Sequence, residues 1–571
     1  HPSAVPATLQ DSLMARLDQL GSAKEVAQMG AVIGREFSHE LVAALVPMDE
    51  ATLREALEQL TRAVIVYPRG AHGSTKPAAT FIFKHALVQD AAYASLLRTK
   101  RQSAHGRIAT ILEASSAPRV HVEPELVAHH YTEAHQWLAA AKHWAVAAQH
   151  SLDRSANLEA LRHATRGLEV LARADAPDAS AATARDQIEA NLEILRGAAY
   201  RALSGFAASD AERSFIRASE LCAQLGDVPR LIDARRGLFA CYYARGALAL
   251  AHEQALAVAA LGARLNDSGS RMLGHWMLGC VQFWQGEFVA AQDALEHASA
   301  LYDPNEQRAQ TLALQIDPGV NALLHLSWAR WVLGYPDEAI RTGEQAIATA
   351  RRLTQPFALS MALFFAGATR ICCGHESAAR ALVDELTALC AEQALGYMGS
   401  CARVLEAQLL IADGKAQAAL EQIHLAFTEF KTQEAGVGLP WAMATAAAAY
   451  ARLGRAQEGL ATLAQAAQAA TRNGEHHWSA ELWRLKGELL LALPAPDENG
   501  AQTCFIEARS VARRQGARSL ELRAATSLAR LWARQGNPEP ARRVLTEARA
   551  WFPAECDSID LREAGIALQT L

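Results

Sequence analysis

The chain has 571 residues, which is about four domains at roughly 150 residues each, or fewer if part of it is a repeat array. Hydrophobic residues make up 51% and charged residues 20%, which excludes a disordered chain. With 55 basic and 61 acidic side chains and a net charge of −6, the balance argues against a general nucleic-acid coat.

Aromatics are only 6% of the chain, and Ala fills much of the apolar share. Ala is the strongest helix former and lets helix axes approach closely, so the composition suits packed helices. The nine cysteines form no CxxC pair and read as reduced, buried thiols of a cytoplasmic protein. No run approaches the ~18 apolar residues of a membrane span, and no basic-then-apolar leader opens the chain. The first residue is His1 rather than Met, so the chain reads as a fragment with further domains expected upstream.

In chain order, helical periodicity covers Leu9–Leu20, Ala23–Ile33, His39–Val46 and Glu50–Arg62. Ala63–Tyr67 and Thr80–Lys84 read as two short strands around a polar loop, Pro68–Ala79. Helices followed by a two-stranded wing describe a winged-helix domain. Two more helices, Ala86–Leu97 and Gln102–Ala114, complete a first domain over 1–115. Residues 116–180 read as a helical connector with degenerate repeats, closed by a linker at Arg173–Ala182 that holds Pro177.

From 181 to 571 a repeat takes over. Glycines at 246, 286, 334, 374, 414, 454 and 536 are separated by 40, 48, 40, 40, 40 and 82 residues. A set of small and bulky positions recurs after them, as in Ala291, Leu295 and Ala298 after Gly286, and Ala541, Leu545 and Ala548 after Gly536. The copy near Ala501, Phe505 and Ala508 has Pro494–Gly500 in place of a tight turn. The spacing predicts two antiparallel helices per unit. Gly ends the first at positive φ, and Ala sits where the second helix crosses it, since anything larger would push the axes apart.

This pattern resembles the tetratricopeptide repeat, whose usual period is about 34 residues; a period near 40 implies longer helices. The predicted fold is therefore all-α: a right-handed superhelix of tetratricopeptide-like helix pairs, preceded by a small winged-helix domain. Tryptophans at 276, 284, 328, 331, 441, 478, 483 and 532 are expected in the core or along the concave groove.

A more specific resemblance lies in "VPATLQDSLMARLDQL", "MGAVIGREF", "FIFKHALVQDAAYASLL", "RQSAHGRIATILE" and "PELVAHHYTEA". In this order, over about residues 5–170, they resemble the segment after the nucleotide-binding domain of bacterial STAND ATPases (signal-transduction ATPases with numerous domains), in particular those fused to a class III adenylate/guanylate cyclase. The resemblance implies ATP or ADP and Mg on upstream domains. In this chain no GxxxxGK[ST] occurs, so no cofactor and no catalysis are expected of it. In related ATPases a Met-His-Asp histidine closes over the ADP phosphate. Here "FKHALVQD" puts His85 at that position, with Lys84 for Met and Ala86 for Asp. His85 is thus the one candidate nucleotide-phosphate sensor, and a helix-capping histidine is the plainer alternative.

The expected function is regulatory: the repeats bind a protein or small ligand, and the winged helix relays this to the upstream nucleotide-binding domain. Two alternatives stand beside it, a free-standing repeat adaptor and a DNA-binding regulator. For DNA the candidates are Arg54, Arg62, Arg69 and Lys76. The nearby Glu50, Glu55 and Glu58 oppose them, and residues 1–120 carry only 13 basic against 11 acidic side chains. Arg98, Lys100, Arg101 and Arg107 read as a solvated face or as a contact for the upstream domain. Histidines 121, 129, 130, 135, 143 and 150 lack a metal-site spacing and read as packing residues, His129 and His130 pointing to different sides of a helix. Cys372–Cys373 reads as a packed helix face. No membrane contact is expected.

Overall fold

The structure is a computed structural model that describes residues 14–69, 80–114, 123–304, 316–432, 436–553 and 556–571. It divides into two compact units, His1–Ala199 and Tyr200–Leu571. The division falls inside one helix rather than at 180/181.

The first unit contains α1 (Ala23–Ile33), β1 (Glu36–Ser38), α2 (His39–Leu45), α3 (Glu50–Arg62), β2 (Val66–Arg69) and β3 (Thr80–Phe83). Then follow α4 (Ala86–Ala94), α5 (Arg98–Ala114), α6 (Pro124–Glu133), α7 (Trp137–Asp153), α8 (Asn157–Leu171) and α9 (Ala179–Ser204), within which the division lies. The strands form one antiparallel sheet in the order β1-β3-β2, so the sheet has three strands where two were expected. At three residues β1 shows no alternation to read; pairing of Glu36 with Ile82 and Ser38 with Thr80 creates it. Phe37 then lies 5.9 Å from the Phe81 ring and 5.4 Å from Phe83, and Gly30 on α1 leaves room for it, because a Cβ there would stand 2.7 Å from the Phe37 ring.

The strand expected from Ala63 begins instead at Val66. The helix end takes the intervening residues: Val64 N–H donates to Thr61 O and Ile65 N–H to Leu60 O, both at 3.0 Å. Asp49 caps α3 by accepting from the Ala51 and Thr52 amides at 3.0 Å. The first part of the expected helix Leu9–Leu20, most of the loop Pro68–Ala79, Lys76 and His121 lie outside the described residues.

The second unit is built of helix pairs. After α10 (Ser209–Leu225) come α11 (Val228–Arg245) with α12 (Leu248–Leu265), α13 (Ser268–Gln285) with α14 (Phe288–Leu301), α15 (Pro318–Leu333) with α16 (Pro336–Leu353), and α17 (Pro356–Cys373) with α18 (Glu376–Glu392). The series continues with α19 (Gly396–Ala412) and α20 (Ala416–Thr432), α21 (Leu439–Arg452) and α22 (Ala456–Asn473), α23 (Ser479–Leu491) and α24 (Glu498–Arg514), α25 (Arg518–Arg534) and α26 (Pro538–Arg549), then α27 (Ile559–Thr570). This is the tetratricopeptide-like superhelix that the spacing predicts.

All seven turn glycines have positive φ, from 71° to 98°, at the end of the first helix of a pair. The small positions do what the pattern requires: a Cβ on Gly279 would stand 2.5 Å from Leu295, and Ala291, Leu295 and Ala298 are fully buried. The loop Pro494–Gly500 replaces the tight turn, with Asp497 capping α24 through the Gly500 amide at 2.8 Å. α17 is long and apolar enough to cross a membrane by length and composition, but most of it is packed inside the protein.

Candidate functional site

The first helices of six pairs face a common space, four of them with side chains at i, i+4 spacing, the spacing that puts side chains on one helix face. On α11 these are Phe239 and Tyr243; on α13 Trp276, Cys280 and Trp284; on α15 Asn321; on α17 Met361 and Phe365; on α19 Tyr397 and Cys401; on α21 Trp441. Together they enclose a cavity of about 600 Å³ in the second unit. Its size lies within the ~300–1,000 Å³ range of small-molecule sites.

A buried polar chain runs through this wall. His325 Nδ1–H donates to the Asn321 carbonyl at 2.9 Å, which leaves Nε2 as the acceptor for Tyr243 O–H at 2.9 Å. The Trp284 Nε1–H in turn donates to the Tyr243 oxygen. Asn321 Oδ1 takes the Trp276 indole N–H at 2.9 Å and the Cys280 thiol at 3.3 Å. Burial holds the His325 imidazole down to about 4 and pushes the Tyr243 and Cys280 groups well above their ordinary values. The chain is therefore neutral at pH 7, as a fully bonded network in an apolar wall should be.

At one edge of the cavity lies Arg236, 7% exposed. Its Nη2 stands 3.0 Å from Asp233, while Nε and Nη1 have no partner among the described residues. Arg201, equally buried, lies against Phe206 at 5.6 Å. Burial, with Arg236 close by, lowers the Arg201 guanidinium to about 10.

The cavity exists because the superhelix closes on itself. The last carbonyls of a helix lack intrahelical partners, and here the next superhelical turn supplies them. Gly436 N–H donates to Ala244 O at 3.0 Å, and the His476 and His477 amides to Trp284 O at 2.8 and 3.0 Å. Ser519 Oγ–H donates to Trp331 O at 2.6 Å and Arg523 Nη2 to Cys372 O at 3.2 Å. The approach is close: a Cβ on Gly436 would stand 2.1 Å from Arg245 O, and one on Gly374 would stand 2.6 Å from Ile559.

This seam also buries charge. Arg523 pairs with Asp560 at 2.8 Å and lies 3.9 Å from Glu481, which Arg484 holds at 2.7 Å. Glu475 accepts from the Gly438 amide at 3.0 Å and stands 3.5 Å from His477 Nδ1. Burial raises the Glu475 carboxyl to about 8 and lowers the His477 imidazole to about 3. Both are neutral at pH 7, so their approach is not an ion pair.

The histidines, basic residues and cysteine pair singled out in the sequence fall elsewhere. His85 is exposed at the N-cap of α4 and makes no side-chain bond to that helix. Arg54 meets Glu50 at 3.3 Å, Arg62 meets Glu58 at 3.6 Å and Arg69 meets Glu36 at 2.6 Å. Arg101 lies 5.0 Å over the Tyr93 ring, and Arg107 donates to Ala44 O at 3.1 Å. His129 and His130 do not point apart: both rings pack on His105, at 6.1 and 5.0 Å. Burial raises the Cys372 and Cys373 thiols, away from reactive thiolate character.

Of the tryptophans, Trp276, Trp284 and Trp441 line the cavity, Trp328, Trp331 and Trp478 are buried, and Trp483 is 37% exposed. Sequence reasoning missed Arg236, Asn321, His325 and Glu475. The inward stripes were a usable signal for Asn321 and His325, four residues apart in "NALLH" on a first helix.

No family profile matches the chain. An uncharacterised protein of Rhizobium meliloti is 25% identical over 342 residues, which are 58% of this chain and 32% of the relative. The chain thus spans about a third of the length of the curated relative it matches. Among solved structures, a Rap protein complexed with competence and sporulation factor is 12% identical, with a TM-score of 0.48 over 64% of this chain and 98% of that one. A STAND protein with a tetratricopeptide repeat sensor from Pyrococcus horikoshii is 10% identical, with a TM-score of 0.23 over 96% of this chain and 66% of that one.

Proposed function

We propose that the second unit is a sensor that holds a ligand inside the superhelix, and that the chain is the regulatory, non-catalytic part of a cytoplasmic STAND-type ATPase. The observation that carries the reading is the aromatic cavity of about 600 Å³, walled by a fully bonded polar chain and closed by a hydrogen-bonded seam. A seam of this kind gives two arrangements, closed and parted. A ligand shifts the balance between them only by its differential affinity for the two.

In this reading residues 23–83 form a winged helix, supported by the order helix, strand, helix, helix, strand, strand. It would relay the change to an upstream nucleotide-binding domain, with a nucleotide cyclase as the output. ATP or ADP and Mg would belong to those domains and not to this chain. The DNA-binding alternative is disfavoured because Arg54, Arg62 and Arg69 already face carboxylates.

The test uses the neutral dye Nile red and the chain 1–571. Saturable one-to-one fluorescence enhancement is expected. It should be lost when Ala240→Trp and Ala244→Trp, two small residues of the wall one turn apart, fill the space. Failure of Nile red to bind, or binding that the double variant leaves intact, sinks the reading.

A further inference from the structure

The polar side chains that line the cavity fall into two groups. Tyr243, Asn321 and Cys280 are committed to one another, to His325 or to neighbouring indoles. Arg236 and Trp441 are not. Among the described residues Arg236 keeps Nε and Nη1 without a partner, and Trp441, 4% exposed, keeps its indole N–H. Among the described lining residues every buried unpaired side-chain atom is thus a donor, and none is an acceptor.

A buried donor without an acceptor is costly, and most costly when it carries charge. Asp233 meets only Nη2 of Arg236 and is itself half exposed. Arg201, close enough to feel the Arg236 charge, adds a second buried cation on the same side. What completes such a wall is an acceptor with a negative charge, on a body that can lie among Phe239, Trp276, Trp284 and Phe365.

We infer that the cavity takes an amphipathic organic carboxylate of small-molecule size, its carboxylate on Arg236 and its apolar body among the indole and phenyl rings. The inference rests on the sensor reading above and deepens it by naming the ligand class. One charge is enough. A polyanion would need more cations than Arg236 and Arg201 offer, and its body would not match the apolar wall. The enclosed volume favours a small acid over the carboxyl end of a peptide.

The experiment displaces Nile red from the chain 1–571 with decanoate and, in parallel, with decanamide, which has the same chain and no charge. Decanoate is expected to act at a concentration at least about tenfold lower, since a charge-assisted hydrogen bond in a buried site carries that much preference. Arg236→Met should bring the two ligands to within about twofold, and Trp441→Phe should narrow the gap in part. Arg236→Lys, which keeps the charge, should retain most of it.

Equal displacement by the acid and the amide in the unaltered chain overturns the inference and leaves the sensor reading standing. So does an unchanged gap in folded Arg236→Met. Should that variant fail to fold, an unchanged gap in Trp441→Phe overturns it. Displacement by an apolar pentapeptide acid but not by decanoate overturns the small-molecule assignment. Failure of Nile red to bind removes the sensor reading and the inference together.

Discussion

Each unit buries histidines in a polar cluster, and the two clusters end differently. In the first unit His105 Nδ1 and His130 Nδ1 lie 2.8 Å apart, with Tyr93 O–H on His105 Nε2 at 3.0 Å. With Tyr93 donating, His105 donates to His130, and the proton of His130 is left on Nε2, buried without a partner among the described residues. The rings of His105 and His129 pack against that of His130, with centroids 5.0 and 5.7 Å away. In the second unit His325 spends both nitrogens, on Asn321 O and on Tyr243, and among that unit's unspent donors those of Arg236 and Trp441 stand at a cavity wall. An orphaned buried group marks a binding site when space for a ligand adjoins it, and only a packing cost when side chains fill that space.

The largest expected effect breaks the closure on which the second unit's cavity depends. Arg523→Met removes the partner of Asp560 and the donor to Cys372 O. It should destabilise the protein by about 3–5 kcal/mol, the cost of leaving a buried carboxylate unpaired, read as a fall in the urea midpoint. A loss under about 1 kcal/mol would mean the seam does not hold the superhelix shut. Gly436→Ala should cost about 1–3 kcal/mol by overpacking, since its Cβ would meet Arg245 O; a neutral result would count against the close approach.

A smaller effect separates the units by pH. The folded-state carboxyl of Glu475 is raised from 4.5 to about 8. Its contribution to stability is therefore full below pH ~4.5 and lost as pH rises through about 8, on the order of 1 kcal/mol per pH unit in that window. Glu475→Gln should flatten this fall, most cleanly between pH 6.5 and 8, in urea titrations. His130 behaves oppositely: burial lowers it from 6.5 to about 3, so its contribution is present above pH 6.5 and lost as pH falls toward 3. His130→Leu should flatten the opposite slope, most cleanly between pH 3 and 4.5, where Glu475 changes little. The windows overlap between pH 4.5 and 6.5, so the test is read outside that range: a change by Glu475→Gln between pH 3 and 4.5, or by His130→Leu between pH 6.5 and 8, would make the assignment of the two slopes wrong.

The smallest effect falls on the exposed N-cap. His85→Ala should change stability by no more than about 0.5 kcal/mol, as an exposed side chain with no bond into its helix. In a longer protein that includes a nucleotide-binding domain, weaker ADP binding by His85→Ala would support a phosphate-sensing role, and unchanged affinity would remove it.

Much of the second unit was legible because its constraints are local. A glycine that ends a helix at positive φ and an alanine at a helix crossing each answer to a neighbour within one repeat, so Gly286, Ala291 and Leu295 disclose the pair that contains them. The site was less legible. Tyr243 and His325 are 82 residues apart, and no periodic signal announces their bond. Arg236 looks like any helix arginine until its surroundings are known. β1 escaped for the same reason, since three residues become a strand only when β3 lies alongside.

By itself the sequence determined the repeat, its period and its helix ends, because these follow from backbone conformation and from packing between adjacent segments. Only the tertiary structure decided that one superhelical turn meets the next, that Trp284 O and Cys372 O find their donors there, and that Arg236 is left with nitrogens to offer. Those facts depend on small rotations summed over many repeats, and the sum is what brings distant residues within hydrogen-bonding reach.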